Sequence, residues 1–232
     1  MRRWWLLGIG AILAGCGGSQ PALVSSAPST QPGILRFLAL GDSYTIGESV
    51  DENDRWPVQL AAALRGKGMN IANPKIIATT GWTTANLSSA IDRADLHPPY
   101  DLVGLLIGVN NQFQGRSEDE YHLQFEDLLK RAIHLAGDRS GHVFVLSIPD
   151  WGVAPFAKQF GADPATVGAA IDRFNAINRQ ITLQDGAAYV DITPLTRARR
   201  DLVADDGLHP SAQMYAKWVE LTLPVAEKAI TP

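Results

Sequence analysis

Residues 34–45 read Ile-Leu-Arg-Phe-Leu-Ala-Leu-Gly-Asp-Ser-Tyr-Thr, an apolar run that ends at a glycine followed by an aspartate and a serine. A short apolar run that is bounded by turn residues is typical of a buried strand. Residues 34–40 therefore form the first predicted strand. Four more runs of this kind follow, at residues 75–78, 102–107, 143–148 and 187–192.

The stretches between these runs have helical periodicity. Residues 117–136 and 164–183 each place their large apolar side chains on one face of a helix. Ser117 with Glu120 resembles a capping box, and Asp163 before Pro164 is a typical helix start. Strands that alternate with helices predict a parallel sheet covered on both faces. We therefore expect an α/β fold, with three α/β/α layers around a flavodoxin-like parallel sheet of about five strands.

Polar residues and glycines follow the predicted strands at the points where the strands end. Ser43 follows the first strand, Gly81 the second and Asn110 the third. Asp206 and His209 lie in the loop between the fifth strand and the last helical stretch. In parallel sheets of this kind, ligands bind beyond the carboxyl ends of the strands. The sequence thus predicts that these residues meet at one edge of the sheet.

Ser43, His209 and Asp206 are the residue types that nucleophilic catalysis by a serine needs. A serine hydroxyl is a poor nucleophile at neutral pH unless a base takes its proton and a third group orients that base. His209 supplies a base, and Asp206 supplies a carboxylate three residues before it. Asp205 offers a second carboxylate, but the spacing favours Asp206. The alternative for Ser43 is a helix cap after a strand, which is a common position for serine.

Four blocks of the chain resemble the signature blocks of the SGNH or GDSL-type serine hydrolases, a family of esterases and lipases. The blocks are Gly41-Asp42-Ser43-Tyr44, Gly81, Gly108-Val109-Asn110-Asn111 and Asp206-Gly207-Leu208-His209. The resemblance implies the SGNH hydrolase fold and a catalytic set of Ser43, Asp206 and His209. It also implies an oxyanion hole formed by the backbone N–H groups of Ser43 and Gly81 and the amide of Asn110. Asn111 stands where many relatives have aspartate, and Gly81 alone could be an ordinary turn glycine.

Three functions stay open at this point. The leading one is hydrolysis of short- to medium-chain acyl esters, including lysophospholipids or thioesters, through an acyl-enzyme on Ser43. The second is removal of O-acetyl groups from carbohydrates or the cell wall, and the third is binding of an envelope glycan without turnover. Five aromatic residues near the strand ends could line an acyl or sugar cleft or could only pack the loops: Tyr44, Trp82, Phe113, Trp151 and Phe156.

The amino terminus resembles the signal peptide of a bacterial lipoprotein. Arg2 and Arg3 precede an apolar stretch that is shorter than the roughly 20 residues of a membrane-spanning helix. The stretch ends in Leu-Ala-Gly-Cys, so we expect residues 1–15 to be removed and Cys16 to carry lipid. Residues 16–33, rich in Gly, Ser and Pro, then form a flexible tether, and residues 34–232 form the hydrolase domain. The alternative is an ordinary secretory signal with an incidental cysteine.

The predicted location is the cell envelope. Lipid on Cys16 would anchor an exported lipoprotein to a membrane, and Gly17 resembles a signal for the outer membrane, facing the periplasm, in a Gram-negative host. Loss of residues 1–15 removes two positive charges and moves the formal charge from −4 to −6, which argues against a nucleic-acid partner. The basic cluster at residues 197–200 is expected to be a solvated face.

The composition also bounds the cofactors. The sequence has neither a Gly-x-Gly-x-x-Gly motif nor a phosphate-binding Gly-Lys-Ser/Thr loop, so no organic cofactor is predicted. Its one cysteine is committed to lipid, and no metal site is indicated. A domain of about 200 residues can bury a sizeable core by itself. We therefore expect a monomer that acts on a small-molecule, glycan or lipid ester.

Overall fold

The structure, a computed structural model, describes residues 33–231. The predicted signal peptide, Cys16 and residues 17–32 of the predicted tether lie outside the described residues. Within the described part, no helix is both long enough and apolar enough to cross a membrane.

The core of the molecule is a five-stranded sheet. Its strands are β1 (Phe37–Gly41), β2 (Lys75–Ala78), β3 (Leu102–Leu106), β4 (Val143–Leu146) and β5 (Ala188–Val190). They lie in the order β2-β1-β3-β4-β5, and every neighbouring pair is parallel. This is the flavodoxin-like order. The predicted α/β fold with a parallel sheet of five strands is confirmed.

Nine α-helices are described between and after the strands. They are α1 (Ser43–Ile46), α2 (Trp56–Gly66), α3 (Thr84–Arg93), α4 (Val109–Phe113), α5 (Glu118–Leu135), α6 (Pro155–Phe160), α7 (Pro164–Gln184), α8 (Thr193–Ala198) and α9 (Ala212–Ile230). Helices α2 and α9 pack together on one face of the sheet, while α3, α5 and α7 form the layer on the other face.

The apolar faces predicted for the two long helices are the faces that pack on the sheet. In α5, Tyr121, Phe125 and Leu128 are fully buried, and in α7, Ile171 and Phe174 are buried. Ser117 caps α5 by accepting a hydrogen bond from the backbone N–H of Glu120 at 3.1 Å. Asp163 caps α7 in the same way, with the N–H of Thr166 at 2.9 Å.

Two of the differences from the sequence-based expectations have a clear physical reason. The first strand begins at Phe37 rather than Ile34, because Leu35 makes only an isolated bridge to Ile71. Arg197 is not part of a solvated face, because its guanidinium pairs with the buried carboxylate of Asp150 at 2.8 Å and with Asp172 at 2.8 Å. A carboxylate that is removed from water needs such a partner.

Candidate active site

One pocket lies where β1, β2 and β3 end. Its lining includes Ser43, Gly81, Asn110 and His209, and its volume is about 180 Å³. These four residues come from three strand-end loops and from the loop before α9. The structure thus brings four of the five predicted site residues to one pocket, and Asp206 joins them through a bond to His209.

Ser43 occupies the first turn of a very short helix. β1 ends at Gly41, Asp42 caps the helix, and α1 is already closed by Gly47 in the left-handed conformation. The first backbone N–H groups of a helix have no acceptor within the helix. This turn therefore places the backbone N–H and the hydroxyl of Ser43 together beside the pocket.

Asp42 precedes Ser43 at the start of α1 and is 1% exposed. Its Oδ1 atom accepts the backbone N–H of Tyr44 at 3.1 Å. Burial raises the pKa of Asp42 to about 7, although the backbone N–H groups of Tyr44 and Gly108 favour the charged form and limit the rise. Asp42 is therefore an uncharged carboxyl group over much of the acidic pH range.

His209 and Asp206 form a hydrogen-bonded pair. The Nδ1 atom of His209 lies 2.5 Å from Oδ2 of Asp206. The Oδ1 atom of Asp206 accepts the backbone N–H groups of Leu208 at 2.8 Å and of His209 at 2.9 Å. The neighbouring Asp205 is exposed to solvent. Asp206, and not Asp205, is therefore the carboxylate that is bonded to the imidazole.

The charge of Asp206 is well stabilised. Partial burial opposes ionisation, but hydrogen bonds from the His209 ring, from the N–H of Leu208 and from the hydroxyl of Ser49 outweigh it, and the pKa of Asp206 is lowered to about 2. The ring of Tyr44 meets the imidazole of His209 edge-on at 5.5 Å between centroids. The imidazole is thus held from two sides, by a carboxylate and by an aromatic ring.

The side chain of Asn110 is bonded to the turn that contains Gly81. Gly81 has a φ of 83° in a turn in which the N–H of Trp82 bonds to the carbonyl of Thr79. The side-chain amide of Asn110 donates to the carbonyl of Trp82 at 2.9 Å. One amide hydrogen of Asn110 therefore fixes the turn, and the second remains for the pocket.

Gly108 explains how Asn110 reaches this position. Its φ is 129°, and a Cβ atom there would lie 2.6 Å from the ring of Tyr121 and 2.8 Å from Ile148. Only glycine fits both the backbone conformation and the space. The chain can therefore turn sharply after β3 and begin α4 at Val109, one residue before Asn110.

Comparison with known proteins decides the family. The profile of the GDSL-like lipase/acylhydrolase family matches residues 39–217, which include all the site residues described above. The chain belongs to this family. This result confirms the predicted family and the predicted class of enzyme, a carboxylic-ester hydrolase. No curated protein matches the chain at a significant level.

Several solved structures are similar to this hydrolase in fold. A lipase/acylhydrolase from Enterococcus faecalis has a TM-score of 0.66 at 17% identity, covering 84% of this chain and 96% of that one. TesA has a TM-score of 0.65 at 17% identity, covering 84% and 99%. An acetyl xylan esterase from Geobacillus stearothermophilus has a TM-score of 0.63 at 15% identity, covering 86% and 99%.

Asn111 of the hydrolase has a structural position that the sequence did not reveal. Its side chain is fully buried. Its Oδ1 atom accepts the backbone N–H of Thr84 at 3.0 Å, and its Nδ2 atom donates to the hydroxyl of Thr84 at 2.7 Å. Asn111 thus ties the start of α4, which carries Asn110, to the start of α3.

An aromatic wall forms one side of the pocket. Phe113, Trp151 and Phe156 line it, and the rings of Phe113 and Trp151 meet edge-on at 5.2 Å between centroids. Phe160 extends the wall outward by stacking on Phe156 at 5.6 Å, and 60% of its surface is exposed. Of the five aromatic residues singled out in the sequence, Trp82 is the one outside the pocket lining.

Two further polar residues of the site carry no motif in the sequence. The hydroxyl of Ser49 donates to Oδ2 of Asp206 at 2.7 Å, and Gln112 accepts the indole N–H of Trp151 at 2.7 Å.

Over residues 33–231, no three His, Cys, Asp or Glu side chains are grouped so that they could hold a metal ion.

Proposed function

We propose that this hydrolase cleaves esters of short- and medium-chain acids through an acyl-enzyme on Ser43. The observation that carries the proposal is the shared pocket of Ser43, Gly81, Asn110 and His209, with the His209 ring bonded to an ionised Asp206. Lysophospholipids and thioesters belong to the same proposed class, because the same acyl carbonyl would be attacked.

The proposed mechanism has two halves. Because Nδ1 of His209 is bonded to Asp206, we assign the proton to Nδ1, which leaves Nε2 as the base for the Ser43 hydroxyl. Ser43 attacks the carbonyl carbon, and the imidazolium of His209 returns the proton to the departing alcohol. Water then repeats the sequence on the acyl-enzyme and releases the acid and free Ser43.

The negative charge on the carbonyl oxygen would be met by three donors. These are the N–H groups of Ser43 and Gly81 and the second amide hydrogen of Asn110. Donors that are fixed before the reaction stabilise the transition state without reorganisation, and each contributes about 3 kcal/mol. The bond from Asn110 to the carbonyl of Trp82 supports such a fixed arrangement.

The pocket volume favours an acyl group larger than acetyl. A cavity of about 150 Å³ holds a benzene molecule. The pocket beside Ser43 has about 180 Å³ and an aromatic wall, so it suits an acyl chain of about four to eight carbons. The second candidate, an O-acetylesterase, is favoured by the solvent-exposed face of the wall, where Phe113 is 42% and Phe160 is 60% exposed and could stack on a sugar ring.

A series of p-nitrophenyl esters from acetate to decanoate tests the proposal. We expect kcat/KM to be highest between butyrate and octanoate. Ser43→Ala should lower kcat by at least about a thousandfold, because the nucleophile is lost. Ser89→Ala, which changes an exposed serine of α3, is the matched control and should behave like the wild type.

The outcomes separate the open functions. A preference for acetate together with release of acetic acid from acetylated xylan would support the O-acetylesterase instead. If the folded protein cleaves no ester and Ser43 does not react with a fluorophosphonate, the proposed hydrolysis is wrong and glycan binding without turnover becomes the better hypothesis.

We also propose the domain organisation and location expected from the sequence. Residues 1–15 are a signal peptide, residues 16–33 a lipid-bearing tether and residues 34–232 the hydrolase domain of an exported, membrane-anchored monomer. The support is the sequence pattern around Cys16 and the absence of other cysteines.

A further inference from the structure

Ser49 is bonded to the carboxylate that orients the imidazole. Asp206 accepts four described hydrogen bonds, of which three come from Leu208 and His209, within three residues of it. The fourth comes from Ser49, 157 residues away, at 2.7 Å. It ends on Oδ2, the same oxygen that accepts Nδ1 of His209.

The backbone of Ser49 is in a conformation that serine disfavours. Its φ is 65°, and among the described residues only Asp138 shares a positive φ without being glycine. Such a conformation persists only where the surroundings hold it, and it is often found at functional sites. A glycine would adopt it without strain.

The segment that carries Ser49 is attached to the nucleophile itself. The backbone N–H groups of Gly47 and Glu48 both donate to the carbonyl of Ser43 at 3.0 Å. Bonded contacts therefore run from the Ser43 carbonyl through Glu48 and Ser49 to Asp206, and from Asp206 to His209. His209 and Ser43 then face the same pocket.

We propose that Ser49 is a positioning residue, which fixes the Asp206–His209 pair at the right place and orientation relative to the nucleophile. The inference rests on the proposed function. Asp206 needs such a support because about 30% of its side chain is exposed, so water can compete for Oδ2. The Ser49 hydroxyl keeps its proton throughout and acts only through Asp206.

Three substitutions at Ser49 separate positioning from folding. Ser49→Gly removes the hydroxyl and relieves the backbone, so we expect an unchanged or higher Tm with kcat lowered about five- to fiftyfold. Ser49→Asn and Ser49→Asp have nearly the same shape, and both residues tolerate a positive φ. The amide can donate to Asp206, whereas the carboxylate repels it, so the asparagine variant should keep much more activity than the aspartate variant.

The readouts are kcat and KM for p-nitrophenyl butyrate, the rate of Ser43 labelling by a fluorophosphonate, and Tm. We expect KM to stay within about twofold, because Ser49 does not line the pocket, while kcat and the labelling rate fall together. A kcat of Ser49→Gly within twofold of wild type, or equal losses in the asparagine and aspartate variants, would overturn the inference. An inactive and unlabelled wild type would overturn the proposed function and, with it, this role.

Discussion

At the scale of single residues, Asp42 links the site to the pH dependence of stability. Its pKa is about 7 in the folded protein because of burial, against an ordinary value of 3.8. Between these values the unfolded chain loses the Asp42 proton, while the folded protein keeps it. The contribution of Asp42 to stability is therefore full below pH 3.8, falls as the pH rises toward 7 and is lost above 7. Asp206 has the opposite sign, and its contribution is lost only as the pH falls from about 4 toward 2.

Asp42→Asn tests this sign. An amide has no proton to lose, so the variant should lack the decline between pH 4 and 7 that Asp42 causes. In thermal melts of both proteins across that range, the Tm of the variant minus the Tm of the wild type should increase steadily as the pH rises. Asp205→Asn, at an exposed position, is the control and should run parallel to the wild type. A difference between wild type and Asp42→Asn that does not change with pH would contradict the prediction.

The residues whose role depends on local sequence were predictable, and those that depend on distant partners were not. Ser43, Gly81 and Asn110 each follow a strand, so their common edge could be derived from the order of apolar runs. Ser49 has no local signal, because its partner Asp206 is 157 residues away and its positive φ is imposed by the turn after α1. Asn111 has no local signal for its role either, because its partner Thr84 is 27 residues away and meets it only where α3 and α4 begin side by side.

At the scale of elements, the position of α4 depends on its bond to α3. Asn111→Ala would leave the buried N–H of Thr84 without its acceptor, and a buried unsatisfied group costs about 1–3 kcal/mol. We expect the free energy of unfolding in urea to fall by about 2 kcal/mol. The activity should fall as well, because Asn110 starts from the same helix.

A second variant distinguishes the bond from the volume of the side chain. Asn111→Asp keeps an acceptor for the Thr84 N–H, and in its protonated form, which burial favours, it can also donate to the Thr84 hydroxyl as the amide does. It should retain more stability and activity than Asn111→Ala. Equal stability of the alanine variant and the wild type would show that the α3–α4 contact is held by other interactions.

Long helices and distinct apolar strands could be predicted from the sequence, whereas short helices could not. All five strands lie near their predicted places because each is a distinct apolar run. The bounds of β2 are the predicted ones, and the ends of the other strands differ from prediction by at most three residues. Helices α5 and α7 have 18 and 21 residues, enough for a clear period. Helices α4, α6 and α8 have five or six residues and fewer than two turns, so they carry no period that could be recognised.

At the scale of the whole molecule, parallel topology places the site at one edge of the sheet and the start of the domain at the other. β1 runs from Phe37 toward Ser43, and every other strand runs in the same direction. Residue 33 lies four residues before the start of β1, and β1 starts at the edge of the sheet that is opposite to the site. A change in the segment that precedes residue 33 should leave the geometry of the pocket unaltered.

This separation gives a test of the proposed anchor. Cys16→Ser removes the thiol that would carry lipid, so the protein should move from the membrane fraction to the soluble fraction of its host. Its kcat/KM for p-nitrophenyl butyrate should match that of the wild type in detergent, because the lining residues of the pocket come from residues 43–209. The measurement is fractionation followed by the assay on equal amounts of protein. If the variant stays with the membrane although residues 1–15 have been removed, which its mass shows, the anchor is not a lipid on Cys16. If it is released but inactive, the domain depends on residues before 34 and the proposed boundary at residue 34 is wrong.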